Sequence, residues 1–413
     1  MNDLSMPENA EELQSVVRDA LLTKRTLELL GHGSRRALGR PVSADVRVDL
    51  SRLQGVKLYE PEELILVVGP GTPLTDLKQM LADHGQHLAF EPPDYGVLWG
   101  EASDQGTVGG AIMSGRNGPR RLTAGGARDF VLGAKAVNGR GEQFAAGGRV
   151  VKNVTGFDLP KLIAGSFGTL CAVTELTLKV LPKPPEVATF AVLGLAAHQA
   201  SLLMQKILKE LSAQISSVAF LPADVVVSSS VDDLSKSGTS ALLFRMEGFG
   251  MAVSSGLGNI SKLLKGTAPS LILGEDQTHQ LWTEIGDVHF FSGSNKPVWF
   301  LSVPPSLGAE IGEYLIRELH GKCFYDWAGG GIWLELPDES DAAASVVRSS
   351  ISTLANNDGH ATLIRAEQQV RSHVSPFQPQ PPALAQLIER VRRQFDPAGV
   401  FNPGRMYENT DAN

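Results

Sequence analysis
The sequence predicts an α+β fold in two parts, a glycine-rich first half and a layered second half. Three observations lead there. A chain of 413 residues with 42% apolar residues holds enough apolar surface for more than one buried core. From about residue 187 onward, short β-type runs alternate with amphipathic helical runs, the pattern of helices laid on one face of a mostly antiparallel sheet. Between the halves stands LPKPP (181–185), whose successive X-Pro bonds disfavour helix and stiffen the connection, so a boundary is placed near residue 183.

In chain order, residues 8–24 put Leu13, Val16, Val17, Ala20 and Leu21 on one helical face, and TLELL (26–30) follows as a short strand. GHGSRRALG (31–39) breaks the chain before a strand near 46–50. LILVVG (64–69) reads as a strand running into a helix with Thr72 as N-cap, Pro73 at the first helical position and Gly85 as the stop. Residues 90–130 carry so much glycine and proline that a long loop system with thin secondary structure is expected. Strands at 131–137 and 142–145, a helical piece near 157–164 and a strand at 172–181 complete the first half. In the second half, strands are expected around 187–195, 215–221, 241–246, 297–303, 323–327 and 330–336, with helices near 197–211, 250–265, 307–320 and 339–355. The tail PPALAQLIERVRRQFDPAGVFNPGRM (381–406) reads as a helix with Leu384, Leu387, Ile388, Val391 and Phe395 on one side, ended by Asp396 and Pro397.

Charge and composition exclude several function classes. A net charge of −8 offers no basic stripe for nucleic acid or an anionic membrane surface, so no nucleic-acid partner is expected. The N-terminal MNDLSMPENAEEL is polar, and no apolar run approaches the roughly 18 residues of a membrane span. A cytoplasmic protein without a membrane span is expected, with any peripheral membrane association made through partners. Cys171 and Cys323 are the two cysteines, too few for a disulfide framework, an iron–sulfur cluster or a structural zinc, and no metal is expected.

Chemistry concentrates in three glycine-bearing turns. GHGS (31–34) follows a strand, and successive exposed backbone N–H groups there can form an anion nest for a phosphate, although such a turn also arises for structural reasons alone. GTVGGAIMSGRNGPRR (106–121) places small residues where a flat or phosphorylated ligand can approach the main chain, and GSFGTLCAVTE (165–175) supplies a third turn. A glycine in a regular element costs roughly 1 kcal/mol relative to alanine, so its repeated use asks for a reason. No continuous GxGxxG joins a strand to a helix with an acid downstream, which disfavours a nicotinamide dehydrogenase.

Taken together and in this order, the three turns resemble the FAD-binding domain of the vanillyl-alcohol-oxidase or PCMH type, and the resemblance covers nearly the whole chain. LLGHGSRRALG is similar to the family's first pyrophosphate loop. PPDYG followed by GTVGGAIMSGRNGPRRLTAGGARDFVLGAKAVNGRGE is similar to its second, and GGRVVKNVTGFDLPKLIAGSFGTLCAVTELTLKVLP to its closing segment. The PPD, GPRRL, RDFVLG and VVKN-TGFDL blocks point more narrowly to the FAD-binding, E-type subunit of bacterial glycolate oxidase, and FDPAGVFNPGRM fits the C-terminal signature of FAD-linked oxidases.

The resemblance implies a two-lobed PCMH-type FAD-binding domain over residues 1–183, a ferredoxin-like cap over 184–365 and a C-terminal segment, 366–413, that returns to pack on the first domain. By analogy Gly31, His32, Gly33, Ser34 and Arg35 cradle the pyrophosphate, and Gly106, Thr107, Gly109 and Gly110 line its second side. Ser114, Gly115, Arg116 and Asn117 lie nearer the ribityl chain and isoalloxazine, and Gly165, Gly168, Thr169 and Val173 along the adenine end. Glycine suits this work because N–H groups must come close to the ligand with no side chain between. Arg35 either neutralises phosphate charge or is a solvated surface arginine; Arg120 and Arg121 touch a partner, touch the cofactor or lie on the surface. Relatives that bind FAD covalently through this loop have a histidine where Ser34 stands, so a non-covalent cofactor is expected.

The second half gives no catalytic residue. Relatives that oxidise 2-hydroxy acids have an arginine for the substrate carboxylate and paired histidines, whereas the comparable stretch here reads CFYDWAGGGIWLEL (323–336). His360 and Arg365 are five apart and point to opposite faces of a strand. Phe324, Tyr325, Trp327 and Trp333 read as core or interface, with flavin stacking as the alternative. Two functions follow from the resemblance. The first is an FAD-binding subunit of a glycolate oxidase or dehydrogenase complex, relaying electrons or scaffolding beside a catalytic flavoprotein subunit that handles the small 2-hydroxy acid and an iron–sulfur subunit that accepts electrons. The second is a self-sufficient FAD-dependent dehydrogenase of glycolate or D-lactate.

Overall fold
Asn9 starts the first helix, Ala10–Thr23, by accepting a hydrogen bond from the Glu12 amide, and the helix buries Leu13, Val17 and Ala20. In the computed structural model, which describes residues 3–149, 157–337 and 340–408, that face packs on a parallel sheet ordered Asp3–Ser5, Val46–Asp49, Leu27–Leu30. A second, antiparallel sheet is ordered Val56–Glu60, Ile65–Val68, Cys171–Lys179, Val131–Asn138, Gln143–Gly147. Its first strand is absent from the sequence reading because VKLYE is half-exposed at an edge and shows no clean apolar alternation.

Two local expectations are corrected. Thr72 does not cap the helix Leu74–Asp83. Its hydroxyl donates to Gly69 O at 2.8 Å and accepts from Gly55 N at 2.9 Å, tying two turns together, and Pro73 takes the cap position with no side-chain bond. The 90–130 loop system holds a real helix, Val108–Ser114, capped by Thr107, whose Oγ1 accepts from Gly110 N at 3.2 Å. Residues 150–156 of the VVKN-TGFDL block and residue 339 of the expected 339–355 helix lie outside the described residues; that helix runs Ala344–Leu354.

The second half forms an eight-stranded antiparallel sheet ordered Ser270–Leu273, Glu186–Leu193, Ala241–Gly248, Ile215–Leu221, Lys322–Asp326, Gly331–Glu335, Val298–Ser302, His360–Arg365. Helices Ala197–Leu211, Gly250–Leu263, Gly308–Leu319 and Ala344–Leu354 cover one face. The expectation of helices on that face alone fails: Leu281, Trp282 and Ile285 of helix Glu275–Gly286 cover the other face, joined by Tyr95 and Leu98 from the first half. In this second core Trp333 meets Tyr95 of the first half, with Phe300 and Phe324 packed beside it. Among the described residues no helix is long and apolar enough to cross a membrane.

The tail helix Pro382–Phe395 leaves Leu384, Leu387 and Ile388 exposed. The stretch after it makes the return. Asp396 accepts from Val400 N and Phe401 N at 2.9 and 2.8 Å, and Val400 and Phe401 are buried with Leu13, Val17 and Leu27.

Candidate cofactor-binding site
The first turn leaves strand Leu27–Leu30 at Gly31. Glu28, the one charge in TLELL, is buried in that strand and accepts both arms of Arg36 at 2.9 and 3.0 Å, which pins the turn to its own strand. Gly31 faces the cap of helix Val108–Ser114, and a Cβ at 31 would lie 2.6 Å from Thr107 Oγ1. That approach requires glycine.

The second and third turns meet backbone to backbone. Gly115, at φ 61°, lies so close to Gly165 that a Cβ on it would stand 3.0 Å from the Gly165 Cα, while Gly165 N and Phe167 N donate to Ile112 O and Met113 O at 3.0 and 2.9 Å. Asn402 of the tail then ties the third turn to the first. Its Oδ1 accepts from Leu29 N and its Nδ2 donates to Phe167 O, both at 2.8 Å. Arg405 adds a bond from Nη2 to Arg35 O at 2.9 Å. Three turns far apart in sequence thus converge on one cleft.

Gly31, His32, Gly33, Ser34, Arg35, Thr107, Gly110 and Ser114 line it, together with Phe167, Asn402 and Arg405. Gly106 lies in an adjoining crevice with Ser34, Arg35 and Tyr95. Gly165 and Gly168 flank Phe167, and Thr169 Oγ1 donates to Ser166 O at 2.7 Å. Other named residues are turned elsewhere. Gly109 packs on Pro70, Asn117 Oδ1 accepts from Ala127 N at 2.6 Å, and Val173 sits in the sheet core opposite Ala136. The free space, about 90 Å³, is below the ≈ 300 Å³ of a complete small-molecule site, so the cleft accommodates one section of a long ligand.

The cleft is cationic and short of acceptors. Arg35 reaches across to Pro93 O with Nη2 at 2.6 Å, but its Nε and Nη1 are buried without a partner, as are Arg116 Nε and Ser166 Oγ. Burial lowers both guanidinium pKa values, with Tyr95 and the Arg116 charge as smaller influences on Arg35; burial pushes the Tyr95 hydroxyl up to about 12. A buried charged donor left unpaired costs about 1–3 kcal/mol or more. Of these residues Arg35 lines the cleft, and an anion entering there would meet its two open donors. The reading of Arg35 as a solvated surface residue is therefore corrected, because the turn directs its guanidinium inward over Gly110.

Sequence reasoning assigned no role to Glu28, Phe167, Asn402 or Arg405. Glu28 carried a signal, a carboxylate inside an apolar strand. Asn402 and Arg405 stood in the quoted NPGRM tail, but nothing local tells that they reach back to residue 29 or 35.

Arg365, the arginine singled out in the second half, is not free to grip a substrate. Arg365 is committed to Glu335 at 2.8 Å and to the carbonyls of Leu98, Phe291 and Lys296 at 2.7 Å. His360 is lowered by burial and by the Arg116 charge. Trp333 and Phe324 stack at 6.2 Å, Tyr95 meets Trp99 and Trp333 edge-on, and Trp327 Nε1 donates to Gly118 O at 3.1 Å. These aromatics fill the sheet face that meets the first half. Among the described residues no group of three or more His, Cys, Asp or Glu is placed to hold a metal ion. Arg120 is buried and paired with Glu247, which corrects the surface reading.

Residues 4–147 match the FAD binding domain family model. The chain is 31% identical to the glycolate oxidase subunit GlcE of Escherichia coli K12 over 96% of its own length and 97% of that protein's. It is 29% identical to the glycolate oxidase subunit GlcD of Bacillus subtilis 168 over 43% of its length and 36% of that protein's. Among solved structures, p-cresol methylhydroxylase with substrate bound superposes with a TM-score of 0.74 at 15% identity, covering 99% of this chain and 89% of that one. That likeness fixes the fold.

Proposed function
From the premise that this chain belongs to the family of FAD-linked oxidoreductases represented by glycolate oxidase subunit GlcE, we propose that it serves as the FAD-binding subunit of a complex that oxidises glycolate to glyoxylate. The cofactor is FAD, held without a covalent link. In the complex this subunit relays electrons or organises the assembly, beside a catalytic flavoprotein and an iron–sulfur subunit, in the cytoplasm. The same reading divides the chain at about residues 183 and 365.

One observation carries it: three glycine turns close on a cleft in which the buried Nε and Nη1 of Arg35 have no protein partner. The residues fit an FAD diphosphate. Gly31, Gly33, Ser34 and Arg35 would face it from one side and Thr107 and Gly110 from the other, with Arg116 beyond, towards the ring. A bulkier residue at 31 would fill the cradle. Bound there, FAD supplies a two-electron acceptor able to pass electrons on singly. The chain's own residues bind, orient and screen the cofactor from water. The filled aromatic face and the fully engaged Arg365 favour a subunit over a self-sufficient dehydrogenase.

Purification separates the two. The expected result is a flavin spectrum that glycolate and D-lactate leave unbleached in the isolated chain, with bleaching restored when the chain co-purifies with a second flavoprotein and an iron–sulfur protein. Bleaching of the isolated chain by either acid would overturn the subunit reading, and a colourless chain that takes up no FAD would overturn the cofactor.

A further inference from the structure
The tail after helix Pro382–Phe395 enters the first half as an added strand. Leu27 N donates to Val400 O and Asn402 N donates to Leu27 O, both at 2.8 Å, so Phe401 stands beside Leu27 in parallel on the strand that leads into the first turn. The first half leaves room for this segment. A Cβ at Gly168 would lie 2.7 Å from Asn402 Nδ2, and one at Gly39 would lie 2.9 Å from Arg405 O. Asn402 and Arg405 are both buried.

Asn402 is the junction of the two turns. Its backbone is left-handed, at φ 42°, immediately before Pro403, a conformation that residues other than glycine rarely adopt and that a following proline restricts further. Phe167, its partner in the third turn, is left-handed as well, at φ 54°. Such strain persists where the surroundings over-determine it, and here the two residues hold each other. Asn402 Nδ2 donates to Phe167 O at 2.8 Å while Phe167 N donates to Met113 O at 2.9 Å, and Asn402 Oδ1 accepts from Leu29 N at 2.8 Å. A short side-chain amide carries an acceptor and a donor at one tip; alanine has neither, and an ionised aspartate only accepts.

We propose that Asn402 is a positioning residue for the cofactor. It fixes the spacing of the first and third turns, Arg405 steadies the first turn through Arg35 O, and docking of the tail and binding of FAD form one coupled equilibrium. The proposal rests on the cofactor reading and adds to it that the cleft has its binding geometry only while the tail is docked. Coupling of this kind is reciprocal: if the undocked form binds FAD about tenfold more weakly, saturating FAD makes the tail undock about tenfold less often.

Amide hydrogen exchange of the full wild-type chain, with and without FAD, tests the coupling with no substitution at all. FAD should slow exchange by about tenfold in peptides covering 27–31 and 399–405 together, and by less in strand Ala241–Gly248, which does not line the cleft. Fluorescence titration should give an FAD dissociation constant raised about tenfold by Asn402→Ala, and equally by Asn402→Gly, which relieves the left-handed backbone but restores neither bond. In the Arg35→Gln background Asn402→Ala should cost about threefold or less, because the turn it positions no longer carries the charge; a side chain that served the fold alone would cost the same in both backgrounds. Tail exchange unchanged by saturating FAD, wild-type affinity in Asn402→Ala, recovery of affinity in Asn402→Gly, or an equal loss with and without Arg35 would each overturn the proposal and leave the cofactor reading standing. A wild-type chain that takes up no FAD would overturn the cofactor reading and this proposal with it, so the two failures are told apart.

Discussion

Alanine in place of Gly31 tests whether main-chain closeness builds the cofactor cleft. The new Cβ would stand 2.6 Å from Thr107 Oγ1 and 3.2 Å from its Cγ2, well inside ordinary contact. Thr107 cannot simply rotate away, because its hydroxyl is the cap of helix Val108–Ser114 and accepts from Gly110 N. Either the first turn or the helix start must move. A lost cap costs about 1 kcal/mol and an overpacked contact about 1–3 kcal/mol, so Gly31→Ala should destabilise the protein by about 2–4 kcal/mol. It should also weaken FAD binding by tenfold or more, since the displaced turn carries Arg35. Thr107→Ala removes both clashing atoms and leaves a Cβ 3.4 Å from the new methyl, an ordinary contact. On its own it loses the cap and little else. In the Thr107→Ala background, Gly31→Ala should then be nearly silent, a coupling of more than about 1 kcal/mol in a double-mutant cycle. Denaturant unfolding and FAD fluorescence titration of the four proteins measure it. Wild-type affinity in Gly31→Ala, or additive effects of the two changes, would refute the reasoning.

Three further outcomes follow from buried charge. Arg35→Gln should weaken FAD binding by about ten- to a hundredfold, the equivalent of a charge-assisted bond of about 1.5–3 kcal/mol, while the flavin-free protein melts no lower, because two unpartnered buried donors disappear; calorimetry on both forms checks this. Burial alone would raise Glu247, but Arg245 and Arg120 hold it down to about 2 against an ordinary 4.5. Its contribution is thus complete above pH 4.5 and lost as pH falls towards 2; Glu247→Gln should flatten the acid limb of the stability profile and cost about 3–5 kcal/mol at neutral pH, read by unfolding at a series of pH values. Asp326 shows the opposite sign. Burial raises it from 3.8 to about 7, so its protonated form favours folding at low pH and that benefit is lost as pH rises through 7. Asp326→Asn keeps an oxygen for the Trp327 amide, now 2.7 Å from Asp326 Oδ1, and should raise the melting temperature at pH 8 with little change at pH 4.

What the sequence discloses is the chemistry a residue performs on its own backbone; what it hides is work done on residues far along the chain. Gly31, Gly33 and Gly115 announce turns wherever they occur, and the three turns stand out without a structure. The periodicity of 8–24 likewise gives helix Ala10–Thr23 to within two residues. Thr72 fails because it satisfies Gly55 and Gly69 rather than the helix after it, and helix Val108–Ser114 is hidden by its own glycines, which that helix needs so that Gly109 can rest on Pro70. The cleft shows the same division. Arg35 is legible as a candidate, but its inward orientation depends on Asn402 and Arg405, more than 360 residues later. Arg120 reads as a surface residue in sequence because Glu247 and His87, which bury it, are 127 and 33 positions away. Trp99 packs on the second core, its Nε1 donating to Ile364 O at 3.2 Å, a partner 265 positions away. A candidate cofactor cleft closed by the C-terminal tail is therefore visible in sequence only at its turns, which local geometry constrains, and not in the reach of Asn402 and Arg405 back to residues 29 and 35.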